Sequence, residues 1–291
     1  GLRPIMIIAK TLKEFNEAYN SLEYKNEIGF VPTMGALHEG HLSLIKTSVA
    51  TCKHTIISIF VNPTQFNNKN DFSTYPRSLE NDCKLVEPAG VDIVFAPRVE
   101  DIYPEPKNGD TPLNKKIFNL GGLDKYGEGP KRPGHFNGMA QVVTRLFDIV
   151  KPTKAFFGEK DFQQLAIIKY FVKDLNLNLE IVACPIYRSN DGLAMSSRNR
   201  LLTPEQRKAA PHIYACIKEA KKYFGKISVA DSIKTITEEI NKNPYLETEY
   251  IEIINEDTLE PITEWDQAEN IHLNCAVYAR PVRLIDNIKI K

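Results

Sequence analysis

The chain has 291 residues, 42% apolar and 25% charged, with 37 Lys plus Arg against 37 Asp plus Glu. That composition belongs to a globular protein of one large or two ordinary domains, and the zero net charge excludes a general binder of nucleic acid or anionic membrane, which needs a basic excess. Five scattered cysteines, never spaced Cys-x-x-Cys, exclude a disulfide framework or zinc knuckle, and no apolar run approaches the roughly 18 residues of a membrane-spanning helix.

In chain order, the opening Gly1 and the methionine at Met6 make Met6 read as a native start, so nothing is built on residues 1–5. The apolar run 5–9 is too short for a signal-peptide core, and thiols without a pairing pattern fit a reducing cytoplasm. Strands are predicted at 28–31, 55–61, 91–96, 155–157 and 179–184, with helices at 12–22, 42–51, 79–87, 139–150 and 162–175 between them. The strands are nearly continuous apolar runs, as in a sheet covered on both faces. Residues 101–134 are rich in Gly, Pro, Lys and Asp and read as a long surface loop. After about residue 185 the order changes. Thr203-Pro204-Glu205-Gln206 is a capping box with proline at the first helical position, so one long helix is expected to about 224 and another at 229–241. Strands follow at 250–254, 274–280 and 283–285. The predicted fold class is α/β: a doubly wound parallel, Rossmann-like sheet over 1–185, with a smaller C-terminal α+β domain over 186–291.

Ligands of such sheets bind beyond the carboxyl ends of the strands, and the unusual sequences sit there. Residues 32–41 read Pro-Thr-Met-Gly-Ala-Leu-His-Glu-Gly-His between a strand and a helix. Backbone N–H groups at such a junction are expected to point outward and favour a polyphosphate. Two other readings stand beside this one: His38 and His41 merely cap and pack the turn, or they ligate a metal. The spacing is not His-Glu-x-x-His, and the other histidines (His54, His135, His212, His272) supply no evident third ligand.

Three further strand ends carry polar groups. Phe60-Val61-Asn62-Pro63-Thr64-Gln65-Phe66 leaves the amides of Asn62 and Gln65 for a small polar ligand, or is only a polar turn. Gly158-Glu159-Lys160-Asp161-Phe162-Gln163-Gln164 offers Lys160 as a point charge for phosphate and Asp161 as a helix-opening acid, with a capped helix and a solvated lysine as the bland alternative. Met195-Ser196-Ser197-Arg198 combines two hydroxyls and a guanidinium, a phosphate clamp on a loop able to close, or an exposed linker. Arg132-Pro133-Gly134-His135-Phe136 either helps to form an acid pocket or fixes the long loop.

Together and in this order, with Tyr75-Pro76-Arg77 and Leu284-Ile285-Asp286-Asn287, these blocks resemble the pantoate–β-alanine ligases over nearly the whole chain. The first block also resembles the histidine motif of the wider adenylyl-transferring superfamily, and Met195–Arg198 its mobile phosphate loop. The resemblance implies that ATP and pantoate give enzyme-bound pantoyl adenylate and pyrophosphate, and that β-alanine then displaces AMP to form pantothenate. It implies Mg2+ accompanying ATP, no metal held by the protein itself, and a cytoplasmic homodimer. Carried over residue by residue, Met34, Gly35, Ala36, Leu37, His38, Glu39, Gly40 and His41 line the nucleotide, with His41 as proton donor. Gly158, Glu159, Lys160, Asp161, Met195, Ser196, Ser197 and Arg198 complete the ATP site, beside Tyr187 at the adenine, and the smaller domain closes over the nucleotide. Gln65 and Gln164 hold pantoate, with Gln65 also reaching β-alanine; Asn62 and Arg132 are expected beside the substrate from the reading of their own segments, not from the resemblance. Tyr187, where a smaller apolar residue is usual, and Gln141, where Thr is common, depart from the family pattern.

The residue types suit that chemistry. Charge builds on the phosphoryl oxygens and the departing pyrophosphate, where preorganised donors help most. The attacking carboxylate is better oriented by neutral glutamines than by an arginine, which would stabilise the ground state more than the transition state. Two competing functions are a nucleotidyl transferase that keeps the nucleotide on its product, and a non-catalytic nucleotide-binding module. Product mass separates them.

Overall fold

The computed structural model describes residues 4–291. Six strands form an all-parallel sheet: β1 (Ile7–Ala9), β2 (Ile28–Thr33), β3 (His54–Ile59), β4 (Ile93–Phe95), β5 (Lys154–Gly158) and β6 (Glu180–Cys184), in the order β1-β4-β3-β2-β5-β6. Three more, β7 (Glu247–Asn255), β8 (Ile271–Ala279) and β9 (Val282–Lys289), form an antiparallel sheet. The fold is the expected one: a Rossmann-like sheet with helices, and a smaller sheet toward the C-terminus.

The apolar runs are continuous because both faces are covered. On β2, Val31 joins a cluster with Ile45, Ile57, Val86 and Val94. Its neighbour Phe30 meets Phe147 of the helix His135–Val150 edge-on, with centroids 6.3 Å apart. Successive strand residues face opposite sides, so β2 is packed on two layers. Chain order reverses between β2 and β5, which makes their carboxyl ends the switch point where such sheets take ligands.

Several predicted elements change. β1 is not among the predicted strands; it is three residues long, and Ile7 and Ile8 are 39% and 41% exposed. The single helix expected over 204–224 is three short ones, Pro204–Ala209, His212–Ile217 and Ala220–Tyr223. Pro211 has no N–H to continue the ladder and its ring crowds the preceding turn. The capping box holds as read: Thr203 Oγ1 accepts from Gln206 N at 3.1 Å, and Gln206 Oε1 accepts from Thr203 N at 3.0 Å. No helix among the described residues is long and apolar enough to cross a membrane.

By its contacts the chain divides into two compact units. One takes Leu123–Pro130, Glu159–Gln164 and Pro185–Lys291; the other takes the remaining described residues. The second unit therefore begins at Pro185 but also claims two segments of the first half. The sequence alone divides the chain once, near 185; the extra segments are claimed by long-range polar contacts that no local pattern records. The expected surface loop at 101–134 is likewise only partly a surface, since Leu120 and Glu128 are buried.

Candidate active site

The junction after β2 is held by internal hydrogen bonds. Gly35 and Ala36 both lie at positive φ, +77° and +50°, a conformation glycine adopts without cost and alanine does not. The buried Asp82, from the helix Leu79–Val86, holds this turn: its carboxylate accepts from Ala36 N at 3.0 Å and Leu37 N at 2.8 Å. Gly35 N donates to Thr33 Oγ1. His38 caps the helix Glu39–Thr51, its Nδ1 accepting from Gly40 N at 3.0 Å, while His41 Nδ1 accepts from His38 N at 3.1 Å. The amides of residues 35–38 and 40 are thus used internally. This corrects the expectation of outward-pointing amides here. An Nδ1 that accepts carries no proton, so the proton of a neutral ring here sits on Nε2. The ring centroids are 4.1 Å apart, and two imidazolium ions at that distance would repel.

After β3, Asn62 is completely buried and its side chain is saturated. Nδ2 donates to Gln65 Oε1 at 3.1 Å and Gly138 O at 3.0 Å, while Oδ1 accepts from Tyr103 Oη at 2.5 Å and Thr64 Oγ1 at 3.2 Å. It has nothing left for a ligand, so its predicted substrate contact is corrected to support of Gln65. Gln65 is 6% exposed and keeps its Nε2 donor without a protein partner among the described residues. His135 Nδ1 donates to the Gln65 carbonyl at 3.0 Å. His135 thereby braces the Gln65 turn. Arg132 is half-buried, its carbonyl accepting from His135 N. Gln141 is buried, and its Nε2 donates to Lys116 O at 3.0 Å.

In the second unit, Lys160 and Ser196 line one small cavity together with Asn199, Tyr214 and Asp286. Lys160 Nζ lies 3.9 Å from Asp161 Oδ1, and its side chain is 20% exposed. The two adjacent glutamines divide their tasks. Gln163 is buried and pins the segment 123–128, its Nε2 donating to the carbonyls of Leu123 and Tyr126 and its Oε1 accepting from Glu128 N. Gln164 has no side-chain hydrogen bond to the protein among the described residues. Tyr187 is exposed, and its carbonyl accepts from Met195 N. Ser196 caps the short 3-10 turn Ser197–Leu201 through Arg198 N, and Ser197 is buried there.

The segment leading to Ser196 is anchored at its base. Arg188 makes a two-pronged ion pair with Asp286, at 2.7 and 2.8 Å, and stacks on Tyr214 at 3.7 Å. Asp191 pairs with Arg207 at 2.7 Å. The Arg207 hydrogen bond holds the Asp191 carboxyl at about 2, below its usual 3.8. A depressed carboxyl stabilises the fold above the unfolded value, and that contribution is lost as pH falls from about 3.8 through about 2. The urea midpoint of Asp191→Asn is therefore expected below that of the parent at pH 6, with the gap closing toward pH 2.

Segment 123–130 is locked by a buried charge cluster. Glu128 accepts from both Arg283 terminal nitrogens and, at 2.6 Å, from Tyr250 Oη, while Arg283 Nε donates to Glu249 at 2.7 Å. Burial, then the Glu128 charge, push the Tyr250 hydroxyl upward, so it remains a donor. Removing one member of a buried ion pair leaves the other charge uncompensated, at about 3–5 kcal/mol. Glu128→Ala is expected to lose about 3 kcal/mol, since Glu249 still faces Arg283; denaturant unfolding measures it.

The profile of the pantoate–β-alanine ligase family matches residues 7–289. The pantothenate synthetase of Bacteroides fragilis is 46% identical over 287 residues, covering 98% of this chain and 99% of that one. That of Phocaeicola vulgatus is 48% identical over 288 residues, covering 98% and 100%. The chain belongs to the pantoate–β-alanine ligase family. Among solved structures, pantothenate synthetase from Thermus thermophilus superposes with a TM-score of 0.88 at 39% identity, covering 98% of this chain and 99% of that one. Pantoate-beta-alanine ligase from Francisella tularensis, complexed with β,γ-ATP and β-alanine, gives 0.81 at 40% identity with 98% coverage of each. The protein is a ligase that condenses pantoate with β-alanine at the expense of ATP.

Residues that support this ligase's site escape sequence reasoning for a common reason. Asp82 lies 45 positions from the turn it holds. Gly138 sits inside a helix because a Cβ there would come within 2.3 Å of the Thr64 carbonyl; a glycine interrupting a helical pattern was the available signal.

Proposed function

We propose that the ligase works through a pantoyl-adenylate intermediate, with the residue roles that follow. The pantoate carboxylate attacks the α-phosphorus of ATP, and the bond to pyrophosphate breaks. The neutral amine of β-alanine then attacks the acyl carbon, AMP leaves and the amine loses a proton. Magnesium enters on the nucleotide, as MgATP. His38 and His41 donate Nε2–H hydrogen bonds to the phosphates. Lys160 supplies a point charge against the charge developing on the phosphoryl oxygens and pyrophosphate. Ser196, Ser197 and Arg198 supply further donors, and Tyr187 borders the adenine. Gln65 and Gln164 orient the pantoate carboxylate, and Arg132 borders the substrate without pairing with that carboxylate; Asn62 acts on it only through Gln65.

The observation that carries this reading is the reciprocal His38–His41 cap. On this reading His41 acts as a neutral donor rather than as the proton-giving acid, because a proton on Nδ1 would face the His38 N–H. Five cysteines without a disulfide fit a cytoplasmic setting. A homodimer rests on family likeness alone.

Incubation with ATP, magnesium, pantoate and β-alanine, followed by product mass, tests the route. Pantothenate, AMP and pyrophosphate are expected, and labelled pyrophosphate exchanges into ATP when pantoate is present and β-alanine is omitted. Formation of ADP and phosphate would rule the route out.

A further inference from the structure

We infer that Asp286 and Asn287 of β9, with His272 of β8 behind them, are positioning residues that hold the Lys160 turn and the base of the serine–arginine loop in register for catalysis. The inference rests on the role given to Lys160 above.

β9 is an apolar strand interrupted by this polar pair, 6% and 4% exposed. Buried polar groups are costly unless they are satisfied, and here nearly every atom is used. Asn287 Nδ2 donates at 2.9 Å to the carbonyl of Glu159 and at 2.9 Å to that of Lys160. Two carbonyls accept from it, so the amide orientation is fixed and Oδ1 faces the other way. His272 Nε2 lies 2.8 Å from that oxygen and must carry the proton. The His272 ring is stacked on Phe162, 3.9 Å apart at 11°, and Phe162 opens the helix that follows Lys160. His272 therefore bears on both ends of the turn, through Asn287 on one side and Phe162 on the other. Its Nδ1 is buried without a partner, and burial lowers its pKa, so the ring stays neutral with one defined donor.

The neighbouring Asp286 serves the other loop. Its carboxylate takes the Arg188 pair described above and accepts from Asn287 N at 2.7 Å. Arg188 in turn donates to Gly192 O, and its backbone bridges that of Ala194, two residues before Ser196. One dipeptide thus reaches both segments that supply the cavity's Lys160 and Ser196. Groups acting on a transition state must be held within a fraction of an ångström, and a misplacement of about 1 Å from outside the chemistry can cost about 10²-fold.

The test is a set of substitutions assayed by pantoate-dependent pyrophosphate exchange. Asn287→Ser removes the two donations. It is expected to lower kcat about 10- to 100-fold with the KM for pantoate changed less than about twofold. The double variant Asn287→Ser/Lys160→Ala is expected to be no slower than Lys160→Ala alone, because residues acting through one group do not add. His272→Leu should behave as Asn287→Ser does, and His272→Gln, which keeps a donor for Asn287 Oδ1, should restore most of the rate. If Asn287→Ser is unfolded at the assay temperature by its melting curve, the His272 pair decides alone. Parental kcat in Asn287→Ser or His272→Leu, or additive losses in the double variant, would overturn the inference. Parental exchange in Lys160→Ala would overturn the role of Lys160 and the inference with it; impaired Lys160→Ala beside parental Asn287→Ser would overturn the inference alone.

Discussion

Lys160→Ala is expected to slow pantoate-dependent pyrophosphate exchange by about 10²–10³-fold, or about 3–4 kcal/mol, the scale of one lost donor at a developing oxyanion. The loss should fall on kcat, because ground-state ATP already carries most of the charge that any lysine would attract, whereas the charge that builds on bond breaking is met only by a group already in place. Lys160 is held in that way: its side chain is mostly buried and its carbonyl is fixed by Asn287. Lys160→Arg is not expected to rescue, since a guanidinium is a planar fork rather than a compact point charge. A near-parental exchange rate in a folded Lys160→Ala would remove the lysine from the chemistry.

At His41 the informative comparison is between two amides. His41→Ala should lose about 10²–10³-fold, as one donor to the developing charge disappears. Gln places an amide nitrogen near the position of Nε2, whereas Asn places its oxygen near that of Nδ1. With Nδ1 accepting from His38 N and the proton on Nε2, His41→Gln should recover at least about tenfold of the loss. His41→Asn should repair the cap but not the rate. The kcat of the Gln variant should be flat from about pH 6 to 8, since the amide does not titrate in that range. If His41 instead gives up a proton, Gln would be as slow as Ala.

Much of the architecture was legible because burial on both faces writes strands as plain apolar runs; β2, β3 and β5 lie within two or three residues of their expected bounds. β1 lies inside the apolar run 5–9 but is only three residues long, too short for the run to declare itself a strand, and two of its three residues are exposed. The helix predicted over 204–224 failed at Pro211, where a strong apolar period masked a local break. In the site, residue types were readable and their accounting was not. Asn62 and Gln65 look alike in sequence, yet only hydrogen-bond arithmetic in three dimensions shows that the first is spent and the second has a donor to offer. Gln163 and Gln164 divide in the same way. Asp82, Gly138 and Asp286–Asn287 act across about 40 to 130 positions, and no local pattern records such a partnership.

The scattered make-up of the second unit bears on how the gene can be recombined. A chimera that exchanges everything after residue 184 between relatives would carry Arg283, Tyr250 and Asn287 from one parent, but Glu128, Gln163 and the Lys160 turn from the other. Viable crossovers should therefore keep 123–130 and 159–164 with the C-terminal parent, making three grafts where the linear map suggests one.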